Sequence, residues 1–181
     1  HSTLRAKMQE YFLTFARFRE DFCLFMLYNE DLAERRRMEK KMKTVILGFS
    51  GGVDSAVAAL LLRREGYDVR GAFLDVCANG AAEDAIRTAE YLRLPLEVID
   101  ARGALEENVC KPFAEGYLRG ETLNPCLLCN PSVKLRTLLE RADAQGAEYI
   151  ATGHYARLEN GAVYMGCRDR DQSYQLATMK K

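Results

Sequence analysis

The chain lacks most of the features that would place it at a membrane or outside the cell. No apolar run approaches the ~20 residues that span a bilayer, and nothing resembles a cleavable leader, so no membrane partner is expected. It lacks an excess of either charge: Lys plus Arg and Asp plus Glu both number 26, so contact with nucleic acid has to come from a local patch. It has only two histidines, His1 and His154, and no second Cys-x-x-Cys beside Cys126 and Cys129, which argues against a four-ligand zinc site. Six cysteines without secretory context read as reduced thiols or a reactive site in a cytoplasmic protein, not as a disulfide framework. There is no internal repeat and no low-complexity tract. A chain of this length can bury roughly 70% of its unfolded surface, enough for one globular domain plus an appendage.

The chain divides near Met42. Residues 1 to 42 contain neither Gly nor Pro, and Leu4, Met8, Tyr11, Phe15, Phe18, Phe22 and Phe25 recur at steps of four and three. That seam predicts a helical extension over 1–42, broken near Tyr28 to Asp31, that packs on the following domain, on a partner or on a copy of itself. Arg35 to Lys43 is basic and reads as a solvated helix face.

From Lys43 to Lys181 apolar strands and helices alternate: strands Val45–Phe49, Val69–Val76, Leu96–Asp100 and Tyr149–Thr152, with helices Val53–Glu65, Ala82–Leu92, Ala104–Tyr117 and Val133–Gln145 between them. Uninterrupted runs such as Val45-Ile46-Leu47 suit a parallel sheet covered on both faces, giving an α/β doubly wound, mostly parallel fold. Such folds bind ligands at the carboxyl ends of their strands.

At the first of those ends lies Gly48-Phe49-Ser50-Gly51-Gly52-Val53-Asp54-Ser55. A strand feeding a helix through glycines leaves the first helical amides pointing outward, a ready anion site. The segment lacks the Gly-x-x-x-x-Gly-Lys pattern, so no lysine is built into the loop. Asp54 sits where an anion should bind, which makes sense with a cation such as Mg²⁺ between them. The run resembles the PP-loop of ATP pyrophosphatases, which cleave ATP between the α- and β-phosphates.

Three further segments carry chemistry. Gly120 to Pro131 holds Cys126-x-x-Cys129 between turn formers; alone it reads as half a metal or iron–sulfur site, a redox dithiol or two buried thiols. A helix beginning near Ser132 would lower a thiol pKa through its N-terminal dipole. Thr152-Gly153-His154-Tyr155 ends a strand, where Gly153 admits a nucleotide and His154 suits a phosphate or base. Arg168 to Tyr174 offers charge and one aromatic for stacking.

Together and in this order the four segments resemble the tRNA-specific 2-thiouridylase family, over Lys43 to Leu176. The resemblance implies an adenine nucleotide alpha-hydrolase-like fold and ATP with Mg²⁺ at Gly48, Phe49, Ser50, Gly51, Gly52, Val53, Asp54 and Ser55. Leu74 and Gly153 would lie beside the nucleotide. It implies a target base against Asn124, Pro125 and Cys126, tRNA contacts from Arg170, Asp171 and Gln172, and Cys129 as nucleophile. It also implies a sulfur-relay protein or cysteine desulfurase as donor. In that family the wobble uridine is adenylated at its C2 oxygen and persulfide sulfur displaces AMP.

Departures accompany the match. Leu123 replaces a proline, Pro131 follows Cys129-Asn130, and Gln175 replaces an aromatic after Tyr174. The family's second catalytic cysteine and its further tRNA-binding region and β-barrel lie beyond the matched stretch, so a fragment or shortened catalytic domain is expected. Two alternatives stay open: an iron–sulfur-dependent thiolase in which Cys110 or Cys167 supplies a third sulfur, and a non-catalytic nucleotide- or tRNA-binding remnant.

Overall fold

Val45, Ile46 and Leu47 are inaccessible to solvent, yet they serve two different cores. Val45 and Leu47 pack with Ala58, Leu62 and Ala89 on one face of the sheet; Ile46 packs with Leu135, Leu138 and Ala142 on the other. Period-two alternation with both faces apolar is what a strand needs at the centre of a sheet sandwiched by helices.

The computed structural model describes residues 11–17, 23–29, 42–77, 79–159, 162–166 and 169–177. In chain order the elements are strands β1 (Tyr11–Arg17), β2 (Cys23–Asn29) and β3 (Thr44–Gly48), helix α1 (Val53–Arg64), strand β4 (Asp68–Asp75), helix α2 (Ala81–Tyr91) and strand β5 (Leu96–Asp100). A helical run α3 follows over 102–118, with a π-turn at Glu106–Cys110. A second run, α4, covers 125–145, with a π-turn at Asn130–Lys134. Strand β6 (Tyr149–Thr152), the hairpin β7 (Ala156–Glu159) and β8 (Ala162–Met165), and a 3₁₀ turn at Ser173–Leu176 complete the order.

The sheet runs β1-β2-β6-β3-β4-β5. Strands β6, β3, β4 and β5 are parallel, in the register Leu47↔Ala151 and Leu47↔Gly71. Because β3 is followed by β4 on one side and paired with the much later β6 on the other, the strand order reverses at β3, and a crevice opens at its carboxyl end. Buried Glu148 ties β6 to β3 by accepting the Thr44 amide at 2.8 Å.

The expected helical extension is corrected where residues are described. β1 and β2 are strands paired antiparallel, and β2 pairs antiparallel with β6 through Phe25↔Thr152 to Tyr28↔Tyr149. Aromatic-rich Tyr11-Phe12-Leu13 and the unbroken run Leu24 to Tyr28 favour extended backbone, and pairing β2 on β6 satisfies an edge that would otherwise be open. A seam of short apolar steps is ambiguous between helix and strand. Leu4, Met8, Phe18, Phe22 and the basic run before Met42 lie outside the described residues.

Candidate nucleotide and thiol site

The crevice at the end of β3 is a cleft of about 410 Å³. Gly48, Phe49, Ser50, Asp54 and Ser55 form one wall, Leu74 of β4 and Gly153 beyond β6 two others. Gly51, Gly52 and Val53 shape the loop without walling the cleft; Val53 points to solvent.

The loop's shape follows from its glycines and serines. Gly51 has φ +80°, and a Cβ there would sit 2.6 Å from the Ala85 Cα of α2. Only glycine satisfies both the left-handed backbone and the close approach. Gly52 begins α1 in extended backbone. The Ser55 hydroxyl donates to the Gly52 carbonyl at 3.0 Å and lies 3.2 Å from the Ser50 hydroxyl, which accepts the Gly52 amide at 3.4 Å. The first amides of α1 are left to face a ligand.

A further wall comes from α4, which begins at Pro125 rather than near Ser132. Asn124 is its N-cap, accepting the Cys126 amide on its side chain at 2.9 Å, and Pro125 takes the first helical position. That is how Asn-Pro starts a helix. The helix then survives an internal proline by widening. Pro131 sits in the π-turn, and side chains take up displaced carbonyls: Asn130 Nδ2 donates to the Cys126 carbonyl at 3.0 Å and Ser132 to the Leu128 carbonyl at 2.5 Å.

Cys126 walls the cleft. Cys129, one turn on, is half-buried among Ala101, Val109, Val133 and Leu128 and does not wall it. Burial pushes the Cys129 thiol up, Lys134 pulls it down, and Cys126 and Cys110 push it up again; the net shift is upward. The lowered thiol expected from the helix dipole is therefore not found at Cys129. Cys77 and Cys110 are exposed free thiols. Among the described residues no three His, Cys, Asp or Glu side chains come together as a metal site.

His154 is buried in a chain of hydrogen bonds. Its Nδ1 lies 2.7 Å from the Thr152 hydroxyl, its Nε2 lies 3.2 Å from Gln175 Oε1, and Asn130 Nδ2 donates to that same oxygen at 3.0 Å. An amide oxygen only accepts, so the imidazole carries its proton on Nε2 and accepts from Thr152 on Nδ1. Burial pushes His154 down to about 4, with Lys134 adding to the drop, so it is neutral. It walls the cleft as a dipole, not a cation.

The last expected group divides. Gln172 walls the cleft, whereas Asp171 organises its own turn, accepting the Gly166 amide at 2.7 Å and the Ser173 amide at 3.1 Å. Burial pushes the Asp171 carboxyl up, but these bonds outweigh it and hold it below the usual range. Arg170 lies 6.0 Å from the Tyr155 ring centre. Asn124 and Pro125 stand at the head of α4 beside the wall that Cys126 makes.

Sequence reasoning missed one residue and the role of another. Lys134, from the π-turn, brings into the cleft the positive charge that the loop itself lacks. Tyr155 donates its phenol to Asp54 Oδ1 at 2.5 Å, and that bond raises the phenol's pKa. Neither has a local signature, since each reaches a loop distant in sequence. Asp54 is the one carboxylate among the described walls; with the Ser50 and Ser55 hydroxyls it makes an all-oxygen set that suits Mg²⁺.

The family model described as the tRNA methyl transferase HUP domain matches residues 43–181. The tRNA-specific 2-thiouridylase MnmA of Clostridium perfringens is 39% identical over 152 residues, covering 76% of this chain and 40% of that protein. The protein of the same name from Sulfurimonas denitrificans is 41% identical over 145 residues, covering 77% and 42%. That from Bartonella bacilliformis is 45% identical over 150 residues, covering 73% and 38%. The chain spans about two fifths of the length of these curated relatives. Loop, cleft and parallel sheet all fall inside the matched stretch, and the chain belongs to the tRNA methyl transferase HUP domain family.

Proposed function

We propose that this chain is the ATP-using catalytic domain of a tRNA-uridine 2-sulfurtransferase. The observation that carries the reading is the single cleft whose walls join the Ser50–Ser55 loop to Cys126 of the thiol helix. The names of the relatives, all tRNA-specific 2-thiouridylases, support the same chemistry.

A uridine carbonyl oxygen is a poor leaving group. In the proposed reaction the C2 oxygen attacks the α-phosphorus of ATP, and pyrophosphate leaves. The terminal sulfur of a cysteine persulfide then attacks C2, and the oxygen departs as part of AMP; a second cysteine thiolate attacks the carrier's inner sulfur, breaking the S–S bond to leave 2-thiouridine and a disulfide. The Ser50–Ser55 amides and hydroxyls hold phosphate oxygens, and Lys134 offsets the charge that builds on the departing pyrophosphate. Asp54 would hold Mg²⁺, which when bound supplies further charge neutralisation. Leu74 and Gly153 flank the nucleotide.

Cys126 and Cys129 lie three residues apart on one helical face, so a base laid against Asn124, Pro125 and Cys126 is one turn from the Cys129 sulfur. Cys129 is the nucleophile in this reading. A thiol of raised pKa gives a scarcer but intrinsically stronger nucleophile. The target uridine leaves its stack to enter, as other bases do when enzymes modify them. Arg170, Asp171 and Gln172 form the tRNA-facing side, and a sulfur-relay protein or cysteine desulfurase supplies the sulfane sulfur.

The test is a single-turnover reaction of the 181-residue chain with ATP, unmodified tRNA and sodium sulfide as donor. AMP formation that requires both tRNA and sulfide, and that is lost in Asp54→Ala, supports the reading. ATP and tRNA binding without AMP would instead make the domain a binding module.

A further inference from the structure

Tyr155 stands between the nucleotide loop and the segment 169–172, and it is held by both. Its phenol donates to Asp54 Oδ1 at 2.5 Å. Its backbone is gripped by the other side: the Tyr155 amide donates to Gln172 Oε1 at 3.1 Å, and the Gln172 amide donates back to the Tyr155 carbonyl at 2.8 Å. Gly166 passes so close that a Cβ there would sit 2.6 Å from the Tyr155 carbonyl oxygen, and its amide is fixed by Asp171 at 2.7 Å. Arg170 completes the arrangement, its guanidinium over the ring at 6.0 Å and itself exposed.

The bond to Asp54 therefore depends on groups placed to meet a polyanion. A guanidinium beside a phenol makes the phenol a better hydrogen-bond donor, because it stabilises negative charge on the oxygen. With Arg170 in place, Tyr155 keeps a strong hold on one oxygen of Asp54. That carboxylate is the one the cleft offers a cation. A phosphate that draws Arg170 away weakens the phenol as a donor and returns a lone pair of Oδ1 to the cleft.

We infer that Tyr155 is a positioning residue that couples RNA engagement at Arg170 to the readiness of Asp54 for a cation–nucleotide complex. The inference rests on the nucleotide and tRNA reading above and adds to it a direction: RNA tightens nucleotide binding, and by linkage nucleotide tightens RNA binding by the same factor.

The experiment is a calorimetric titration of the 181-residue chain with Mg²⁺ and α,β-methylene-ATP, which cannot be cleaved at the reacting bond, with and without saturating unmodified tRNA. In the wild-type chain tRNA tightens nucleotide binding by about fivefold or more. In Tyr155→Phe and in Arg170→Ala nucleotide binds tightly from the start, and tRNA adds less than about twofold, below the coupling range. Replacing Mg²⁺ with EDTA abolishes the effect in the wild type, which a purely structural role for Tyr155 would not produce. Equal coupling in wild type and Tyr155→Phe, or no coupling in the wild type when both ligands bind, overturns the inference alone. A wild-type chain that binds no tRNA, or no nucleotide, overturns the functional reading, and the coupling goes with it.

Discussion

His154 Nε2 and Gln175 Oε1 stand 3.2 Å apart inside the cleft wall, and Asn130 of the thiol helix reaches the same oxygen. One amide thereby fixes the imidazole's tautomer and ties the strand-end loop to α4. An aromatic at position 175, as the family resemblance leads one to expect, would leave two buried donors without that acceptor.

Stability should fall in mild acid because of His154. Its folded pKa, about 4, lies below the ordinary 6.5, so between those values the unfolded chain takes up a proton that the folded chain refuses. The contribution is fully present above pH 6.5, is lost as pH falls toward 4, and amounts to about 3 kcal/mol at most. Urea unfolding at a series of pH values checks this. His154→Gln should show a shallower slope across that window, and parallel curves would refute the assignment.

Gly51→Ala should disable the loop and weaken the fold together. The left-handed backbone alone costs roughly 1–2 kcal/mol, and the new methyl meets α2 backbone, not a yielding side chain. Thermal unfolding and ATP titration are the measurements. Gly52→Ala, whose Cβ would meet only the Ser50 hydroxyl oxygen at an ordinary contact distance of 3.5 Å and whose backbone dihedrals are ordinary, should be milder in stability.

The two thiols of α4 should respond differently to an alkylating agent. Cys126 faces the cleft, so Mg²⁺-ATP should slow its labelling. Cys129, half-buried with a raised pKa, should label more slowly than exposed Cys77 at neutral pH and keep accelerating as the solution is made alkaline. Peptide mass mapping over pH resolves both. A Cys129 that reacts fastest of all at pH 7 would contradict the burial argument.

Lys134→Gln should weaken ATP binding by about tenfold, the loss of a charge-assisted contact worth about 1.4 kcal/mol. The same change should raise the pKa of both Cys129 and His154, since Lys134 lowers each. Imidazole NMR titration reads the second effect independently of nucleotide. An unmoved His154 would place the lysine away from the site.

The central architecture was legible because its signals are local. β5 and β6 have the bounds read from the sequence, and β3 and β4 shift by one residue. The glycine-bounded loop announced the cleft. The amino-terminal seam misled because aromatic residues at helical spacing also favour strands, and the deciding partner, β6, lies more than a hundred residues away in sequence. The β7–β8 hairpin was overlooked although Asn160-Gly161, a strong hairpin dipeptide, separates its strands. The start of α4 was hidden by reading Asn124-Pro125 as loop instead of cap. Lys134 and Tyr155 enter the site only through tertiary packing.

The widened turn at Asn130–Lys134 separates two duties along one rod. Beyond it, Leu135, Leu138 and Ala142 are committed to the main interior; before it, Cys126 faces the cleft and Cys129 packs on the smaller cluster of Ala101, Val109 and Val133. An extra residue within a helix rotates one end against the other by about 100°. The reactive end can thus be re-aimed during evolution by edits at Pro131 and its neighbours, at the expense of the small cluster around Cys129 but not of the larger interior that Leu135, Leu138 and Ala142 serve.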